Sequence, residues 1–165
     1  MRKRLVKKDY LGHLHNWFND PEYTGEYEPL FQITPKELDK RFQNLKDESW
    51  WFIQRKRSYH VGFLSNQLRN GVQILGYLVA PEERRKGYAT EAIRIIVDYL
   101  FLNQDLVRIQ AETDPRNQAC IRVLEKNGFT LECIKKQSFY CRGTWRDSAL
   151  YRLLREEWTG PHYKW

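Results

Sequence analysis

The chain has 165 residues, of which 41% are hydrophobic, and a formal net charge of +7 from 28 basic and 21 acidic side chains. No run approaches the roughly 18 apolar residues of a membrane helix, and the basic start, Met1 to Arg4, lacks the apolar segment of a secretory signal. The 3 cysteines suit neither an even disulfide framework nor a C-x-x-C site. We therefore expect one cytoplasmic domain, residues 1–165, without membrane association. The positive charge favours an anionic partner, such as a phosphate-bearing ligand or nucleic acid.

The first third of the chain predicts an edge strand, two helices and an acidic loop. Arg2–Val6 is a short strand candidate, and apolar residues follow at helical spacing over residues 10–18. The segment Glu22–Gln32 shows neither a helical nor a strand period. Thr34 and Glu37 then form a capping box, with a proline at the first helical position between them.

A meander of three strands is predicted next. Trp50–Ile53 and His60–Leu64 form a hairpin joined through residues 55–58. Asn70–Gly71 is a signal for a two-residue type I′ turn, because both central residues of that turn need positive φ. The turn leads into Val72–Val79, a central strand whose side chains alternate with a period of two.

A basic turn joins this central strand to an amphipathic helix. Arg84, Arg85 and Lys86 precede Gly87, and apolar residues then recur at helical spacing over residues 92–101. A helix N-terminus presents about four N–H groups without intrahelical acceptors and therefore binds phosphate well. Cations oppose the helix dipole at this end unless an anion lies between them. The turn predicts an anion site, and the alternative is a basic, solvated helix start.

The rest of the chain predicts a strand, a helix and a hairpin. Leu106–Glu112 has strand character, and Asn117 opens a helix that Asn127–Gly128 ends. Phe129–Tyr140 then pairs with Thr144–Leu154 as an antiparallel hairpin around Arg142–Gly143. Strands that alternate with helices in this order predict an α+β layer fold around a mixed sheet.

Three motifs in the same order resemble the GCN5-related N-acetyltransferase (GNAT) superfamily. Arg84-x-x-Gly87-x-Ala89 resembles its Q/R-x-x-G-x-G/A acetyl-CoA signature, and Asn117–Phe129 is similar to its second CoA-side helix. Asp147–Trp158 resembles the closing strand of the ribosomal-protein N-terminal acetyltransferase-like (RimJ/RimL-like) branch. The resemblance implies a GNAT-like three-layer fold, in which about four helices flank a mixed, mostly antiparallel, twisted sheet of about seven strands.

The resemblance also implies where the acetyl donor binds. In the superfamily the central strand and the next strand splay apart after a bulge, and the pantetheine arm lies in the gap; Gly76 suits a bulge, a close ligand approach or plain packing. A backbone N–H near Leu78 or Val79 would hold the acetyl carbonyl, and those of residues 85–90 would bind the pyrophosphate. The residues expected to bind acetyl-CoA, as co-substrate, are Tyr77, Leu78, Val79, Arg84, Arg85, Lys86, Gly87, Tyr88, Ala89, Thr90 and Asn117.

The proton donor departs from the superfamily pattern. The tyrosine that many members carry seven residues after the helix-opening asparagine is Leu124 in this chain. Cys120 stands where the resembled branch often has a serine close to the CoA sulfur. We expect the helix start to lower the pKa of Cys120, whose thiol could then protonate the departing thiolate. The alternative is a small, buried helix residue.

The base is equally open, because the glutamate that some relatives use falls at Phe139. The candidates are Glu112, Tyr140, or one of Glu26 and Glu28 acting through water. In the superfamily the matching region helps to wall the acceptor site, so these acids could attract an amine. The alternatives are that Glu26 and Glu28 lie in a solvated loop, that Glu112 is a surface strand residue and that Tyr140 is a packed ring. The four histidines show neither a triad context nor metal-ligand spacing, so no metal is expected.

The function implied by the resemblance is transfer of the acetyl group of acetyl-CoA to a primary amine by direct attack in a ternary complex. A protein N-terminus is the favoured acceptor, followed by a polyamine and then a small amine or antibiotic. The alternative is a catalytically weak acyl-CoA-binding or ribosome-associated module. Ribosome association and a homodimer are both left open.

Overall fold

The computed structural model describes residues 2–56 and 59–162, and within them the chain forms seven strands and five α-helices. The strands are β1 (Arg2–Leu5), β2 (Glu48–Lys56), β3 (Tyr59–Arg69), β4 (Val72–Val79), β5 (Arg108–Thr113), β6 (Thr130–Cys141) and β7 (Thr144–Leu154). The helices are α1 (Leu11–Asn19), α2 (Pro21–Thr24), α3 (Pro35–Gln43), α4 (Tyr88–Asn103) and α5 (Gln118–Glu125). The single-turn α2 adds one helix to the four expected, because it falls in a segment too short to show a period.

All seven strands form one sheet in the order β1-β2-β3-β4-β5-β7-β6. Every neighbouring pair is antiparallel except β4 and β5, which are parallel. A parallel pair needs a crossover connection, and α4 supplies it. The expected mixed, mostly antiparallel sheet is therefore confirmed, although residues 57 and 58 of the predicted β2–β3 connection lie outside the described residues. In the part of the chain that the structure describes, no helix has the length and apolar character needed to cross a bilayer.

Hydrophobic clusters lie on both faces of the sheet and give the three layers. One cluster joins α4 and α5 to the sheet through residues such as Ile93 and Leu124, and the other joins α1 and α3 to it. Strand β2 contributes to both clusters, because successive side chains of a strand point to opposite faces of the sheet. Trp50 and Phe52 belong to the second cluster, whereas Ile53 belongs to the first.

The predicted turns have the expected backbone geometry. Asn70 and Gly71 have φ of 51° and 78°, and Arg142 and Gly143 of the β6–β7 turn have φ of 50° and 84°. All four values are positive, as type I′ turns require. The capping box at Thr34 is also present, and it begins α3.

Strands β4 and β5 diverge halfway along their length. They pair only through Gln73, Ile74 and Leu75 of β4, whereas β4 continues to Val79. Among the described residues, the edge of β4 that faces β5 therefore has no strand partner beyond Leu75. The bulge considered at Gly76 is wrong, because β4 pairs with β3 in one uninterrupted register from Val72 to Val79.

Candidate active site

A cleft of about 870 Å³ opens where β4 and β5 diverge. Its walls come from the end of β4, the turn before α4, the start of α5, and residues between Phe18 and Ile33. Of the residues expected to bind acetyl-CoA, all except Lys86 line this cleft. The structure thus brings the end of β4, the turn before α4 and the start of α5 to one site, and their binding role stays a prediction.

The N-terminus of α4 is open to the cleft. Gly87, its N-cap, has φ of 84°, and no side chain in the part of the chain that the structure describes caps the helix, whereas Thr34 caps α3 and Asn117 caps α5. Arg85 also has a positive φ of 62°. A Cβ atom added at Gly87 would meet no atom within 4 Å. The first-turn N–H groups therefore face space that a pyrophosphate would fit.

The three cations of this turn have different surroundings. Arg84 donates to the carbonyl that ends β4 at 3.1 Å, and to both carbonyls of residues 22 and 23 at 2.5 and 2.9 Å. Lys86 forms an ion pair with Glu83 at 3.1 Å. Within residues 2–56 and 59–162, Arg85 is the one cation of the three without a hydrogen bond or ion pair. Arg85 is therefore the side chain most available to an anion.

The start of α5 places a thiol in the cleft. Asn117 Oδ1 accepts from the backbone N–H of Cys120 at 3.0 Å, which leaves the Asn117 amide N–H groups for a ligand. The hydroxyl of Tyr77, on β4, donates to Cys120 Sγ at 3.1 Å. Cys120 is half-buried and lines the cleft.

The expected lowering of the Cys120 pKa is wrong. Burial raises the pKa of the thiol, and the charge of Glu28 acts in the same direction. Hydrogen bonds with Thr113 and Tyr77 offset only part of this rise. The helix start therefore has less influence than desolvation, and Cys120 retains its proton at neutral pH.

Three arginines hold residues 22–28, the acidic segment, by its backbone. In addition to Arg84, Arg142 donates to the carbonyls of Gly25 and Glu28 at 2.7 and 3.1 Å. Arg146 donates to a further carbonyl of the segment at 3.4 Å. Because these guanidinium groups bind carbonyl oxygens, they fix the segment without neutralising its carboxylates.

Glu28 is the acid of this segment best placed for proton transfer. Its side chain is exposed to the cleft but surrounded by protein, and burial raises the pKa of its carboxyl group. Its charge also raises the pKa of Cys120, and both residues line the cleft. Glu26 also lines the cleft.

The end of the cleft on the α1 and α3 side of the sheet is largely apolar. Its lining includes one guanidinium group, that of Arg41, which lies 5.4 Å from the Trp50 ring centroid. The apolar side chains that line this end, here called the apolar chamber, are Phe18, Phe31, Ile33 and Phe63.

The other two candidate catalytic residues are less well placed. Glu112 lines the cleft, but its carboxylate lies 2.5 Å from Lys135 Nζ and 2.9 Å from Ser148 Oγ, so an ion pair and a hydrogen bond already occupy its oxygens. Tyr140 is 57% exposed and packs edge-on against Trp145, outside the cleft lining. Within residues 2–56 and 59–162, no group of three or more His, Cys, Asp or Glu side chains could hold a metal ion.

Sequence reasoning placed Tyr77 among the donor-binding residues but missed the contact of its hydroxyl with Cys120. It also missed that arginines hold the backbone of the acidic segment. The alternation of β4 was a usable signal for Tyr77, because Leu75 and Val79 share its parity and pack on the α4 side. Arg142 lies in a predicted turn, but its acceptors are backbone carbonyls, which leave no signal in a sequence.

Comparison with known proteins identifies relatives with the same fold. The family model described as an acetyltransferase (GNAT) domain matches residues 3–130. The probable N-acetyltransferase YjcK of Bacillus subtilis is 39% identical over 120 residues, which are 64% of this chain and 66% of that protein. The spermidine N(1)-acetyltransferase of Escherichia coli is 26% identical over 52% of this chain and 46% of its own length. The chain thus matches about half to two thirds of the length of these curated relatives.

Solved structures extend the similarity over nearly the whole chain. The spermidine N-acetyltransferase of Vibrio cholerae, in complex with CoA and spermine, has a TM-score of 0.84 at 20% identity, over 94% of this chain and 96% of that one. The ribosomal-protein-S5-alanine acetyltransferase of Vibrio fischeri has a TM-score of 0.83 at 24% identity, over 95% and 94%. At these identities the structures support the fold alone. The family match over residues 3–130 adds the sequence relationship, and the chain belongs to the GNAT acetyltransferase family.

Proposed function

We propose that this chain transfers the acetyl group of acetyl-CoA to a primary amine, with the α-amino group of a protein N-terminus as the favoured acceptor. The observation that carries the proposal is one continuous cleft, which runs from the uncapped N-terminus of α4, past the β4–β5 gap, to the apolar chamber. An anion site, a slot for an extended arm and a separate acceptor space are what a ternary complex requires.

On the donor side, the first-turn N–H groups of α4 bind the pyrophosphate, and Arg85 adds a mobile positive charge. The unpaired edge of β4 near Leu78 and Val79 presents a backbone N–H to the acetyl carbonyl, where negative charge develops. Acetyl-CoA supplies an activated thioester, so no covalent enzyme intermediate is needed.

On the acceptor side, Glu28 takes a proton from the attacking amine and Cys120 gives one to the departing thiolate. The raised pKa of Glu28 brings its basicity closer to neutral pH, and the raised pKa of Cys120 keeps the thiol protonated. These residues replace the tyrosine and the glutamate of other family members, whose positions hold Leu124 and Phe139. Leu124 is fully buried in the core and has no proton to transfer.

The lining of the apolar chamber favours an amine attached to an apolar group. Phe18, Phe31, Ile33 and Phe63 suit the first side chains of a peptide, whereas a polyamine needs several anionic groups along its length. Arg41 and the net charge of +7 also oppose a polycation. Glu26 and Glu28 favour a polyamine as the second candidate, in keeping with the spermidine acetyltransferases among the similar structures.

The proposal extends to the ribosome as a partner, to the cellular location and to a homodimer. A ribosomal-protein N-terminus would bring the chain to the ribosome, and its basic charge suits that polyanion. The exposed, unpaired Cys133 suits a reducing compartment such as the cytoplasm. A homodimer would bury part of the exposed edge strand β6, which is a ready site for strand pairing.

The test combines CoA titration with a thiol-release assay. Peptides with a free N-terminus, the same peptides with a blocked N-terminus and a free lysine, spermidine and an aminoglycoside are each offered with acetyl-CoA. We expect thiol release with the free N-terminus and not with the blocked peptide. Turnover on spermidine alone would contradict the favoured acceptor. Tight CoA binding without turnover on any amine would support the binding-module alternative, and absence of CoA binding would contradict both.

A further inference from the structure

Tyr77 makes a contact that the donor-binding role of β4 does not require. Its hydroxyl lies 3.1 Å from Cys120 Sγ, across 43 positions of sequence. The ring packs against the core between the sheet and α4, and burial raises the pKa of the hydroxyl far above its ordinary range. Tyr77 therefore keeps its proton. Among the described residues, the Cys120 sulfur is the acceptor that satisfies this half-buried donor.

The position of Cys120 relates this contact to the reaction. Its sulfur accepts from the hydroxyl of Tyr77 on β4, and Cys120 lines the same cleft as Thr113 at the end of β5. These two strands are the ones that diverge after Leu75, so the sulfur lies at the gap through which the thioester would pass.

We propose that Tyr77 is a positioning residue, whose hydroxyl donates to Cys120 Sγ and so directs the S–H of Cys120 toward the departing CoA sulfur. This inference rests on the proposed acetyl transfer. A thiol has one hydrogen, and a sulfur that accepts a hydrogen bond from one side remains free to donate its own hydrogen to another.

The proton balance is complete without another reactant. The amine nitrogen forms the C–N bond, the C–S bond breaks, and the departing sulfur takes the Cys120 proton. The Tyr77 O–H then stabilises the Cys120 thiolate by a charge-assisted hydrogen bond. Glu28 receives the proton that the amine loses, and exchange with solvent returns Glu28 to the carboxylate and Cys120 to the thiol.

The first experiment is a double-mutant cycle on the full chain with Tyr77→Phe and Cys120→Ala. Tyr77→Phe should lower kcat roughly tenfold, the value of one hydrogen bond to a charged group, and leave CoA affinity within about twofold. In the Cys120→Ala background the same change should have no further effect on kcat. Cys120→Ser, which keeps a donor, should retain more activity than Cys120→Ala. Tyr99→Phe is the matched control, because Tyr99 packs in the same core and is not part of the cleft lining.

Two kinetic outcomes would overturn the proposal. An unchanged kcat in Tyr77→Phe would limit the hydroxyl to packing. A full kcat in Cys120→Ala together with a low kcat in Tyr77→Phe would make Tyr77 itself the proton donor.

A second experiment does not depend on turnover. In a Cys133→Ser background, the pH profile of alkylation of Cys120 is measured with and without Tyr77→Phe; Cys133 is exposed and Cys141 is buried, so the reactive thiol is Cys120. Because a donated hydrogen bond stabilises the thiolate, its loss should move the profile to higher pH. A shift in this profile without turnover on any amine would contradict the proposed function and leave the Tyr77–Cys120 contact standing. An unmoved profile would contradict the contact itself.

Discussion

Arg84, in the turn before α4, donates to the backbone carbonyl of Tyr23 at 2.9 Å, 61 positions earlier in the chain. The same guanidinium group also reaches the carbonyl of Glu22 and the carbonyl that ends β4. One side chain from the signature of the donor site therefore fixes the wall of the acceptor side. The position of the acidic segment depends on a residue that sequence alone assigned to acetyl-CoA.

This relationship predicts that Arg84→Gln impairs the acceptor more than the donor. Loss of the charged hydrogen bonds should release the acidic segment and raise KM for the amine roughly tenfold, whereas CoA affinity should change less than about threefold. Steady-state kinetics with titrated amine and CoA calorimetry measure the two effects. Arg85→Gln is the matched comparison, and it should weaken CoA instead. An equal loss of CoA affinity in both variants would return Arg84 to direct donor binding.

Two substitutions at Gly87 can distinguish the cost of backbone strain from steric exclusion of the ligand. Its φ is 84°, but a Cβ atom at this position meets nothing within 4 Å. Gly87→Ala and Gly87→Trp should therefore lose a similar amount of unfolding free energy, about 1–2 kcal/mol from the left-handed backbone. Only the tryptophan fills the space before α4, so we expect it to weaken CoA binding at least about tenfold more than alanine does.

Gly71→Ala is the control for that comparison, because Gly71 has φ of 78°, equally open surroundings and a position in a hairpin turn. It should match the stability loss of Gly87→Ala and leave CoA affinity unchanged. Urea unfolding and CoA titration measure both quantities. Equal CoA affinity in the alanine and tryptophan variants of Gly87 would place the pyrophosphate elsewhere.

The residues that the sequence assigns to the donor side line one cleft, and the sequence signals that mark them are local. A positive-φ glycine, a basic turn and a helix-capping asparagine each carry information within a few residues, and the structure brings Gly87 and Asn117 to the same cleft. The pairing of β3 with β4 and of β6 with β7 was also predicted, because the turns at Asn70–Gly71 and Arg142–Gly143 specify hairpins.

The groups proposed for proton transfer were harder to predict, because they meet only in three dimensions. The contact of Tyr77 with Cys120 spans 43 positions, and its effect on the thiol depends on burial. The expected lowering of the Cys120 pKa considered the helix start and omitted desolvation. The acidic segment had no period, and its geometry comes from guanidinium bonds to backbone carbonyls.

Asp114 should make the region between β5 and α5 sensitive to acid. Its side chain is buried and accepts from Arg116 Nη2 at 2.6 Å, and these hydrogen bonds hold the pKa of Asp114 below its ordinary value. A lowered carboxyl pKa gives stability that is present above the unfolded-state pKa and is lost as the pH falls through the folded-state pKa. Asp114→Asn should thus lower the unfolding free energy at pH 7 by roughly 1–3 kcal/mol, with a smaller difference below pH 3.8.

Denaturant unfolding at pH 7 and at acidic pH measures this effect. Asp147→Asn is the control, because the pKa of Asp147 is also lowered but its partner Lys136 is exposed, so solvent weakens the ion pair and its loss should cost less than the loss of Asp114. A pH-independent difference for Asp114→Asn would show that the carboxylate charge is not the source of the stability.

Glu28 gives opposite predictions for activity and stability, which distinguishes a catalytic role from a structural one. A base acts in its ionised form, so kcat/KM should rise with pH through the folded-state pKa of Glu28, which burial raises above the ordinary 4.5. Glu28→Gln should remove that inflection and lower kcat roughly 100-fold.

A raised carboxyl pKa also means that stability is lost as the pH rises through it. Glu28→Gln should therefore be at least as stable as the parent at pH 7. Glu22→Gln, in the same segment but outside the cleft lining, should alter neither quantity. If Glu28→Gln kept the parent pH profile, the base would be another group; if it lost activity together with stability, Glu28 would act by holding the acidic segment in place.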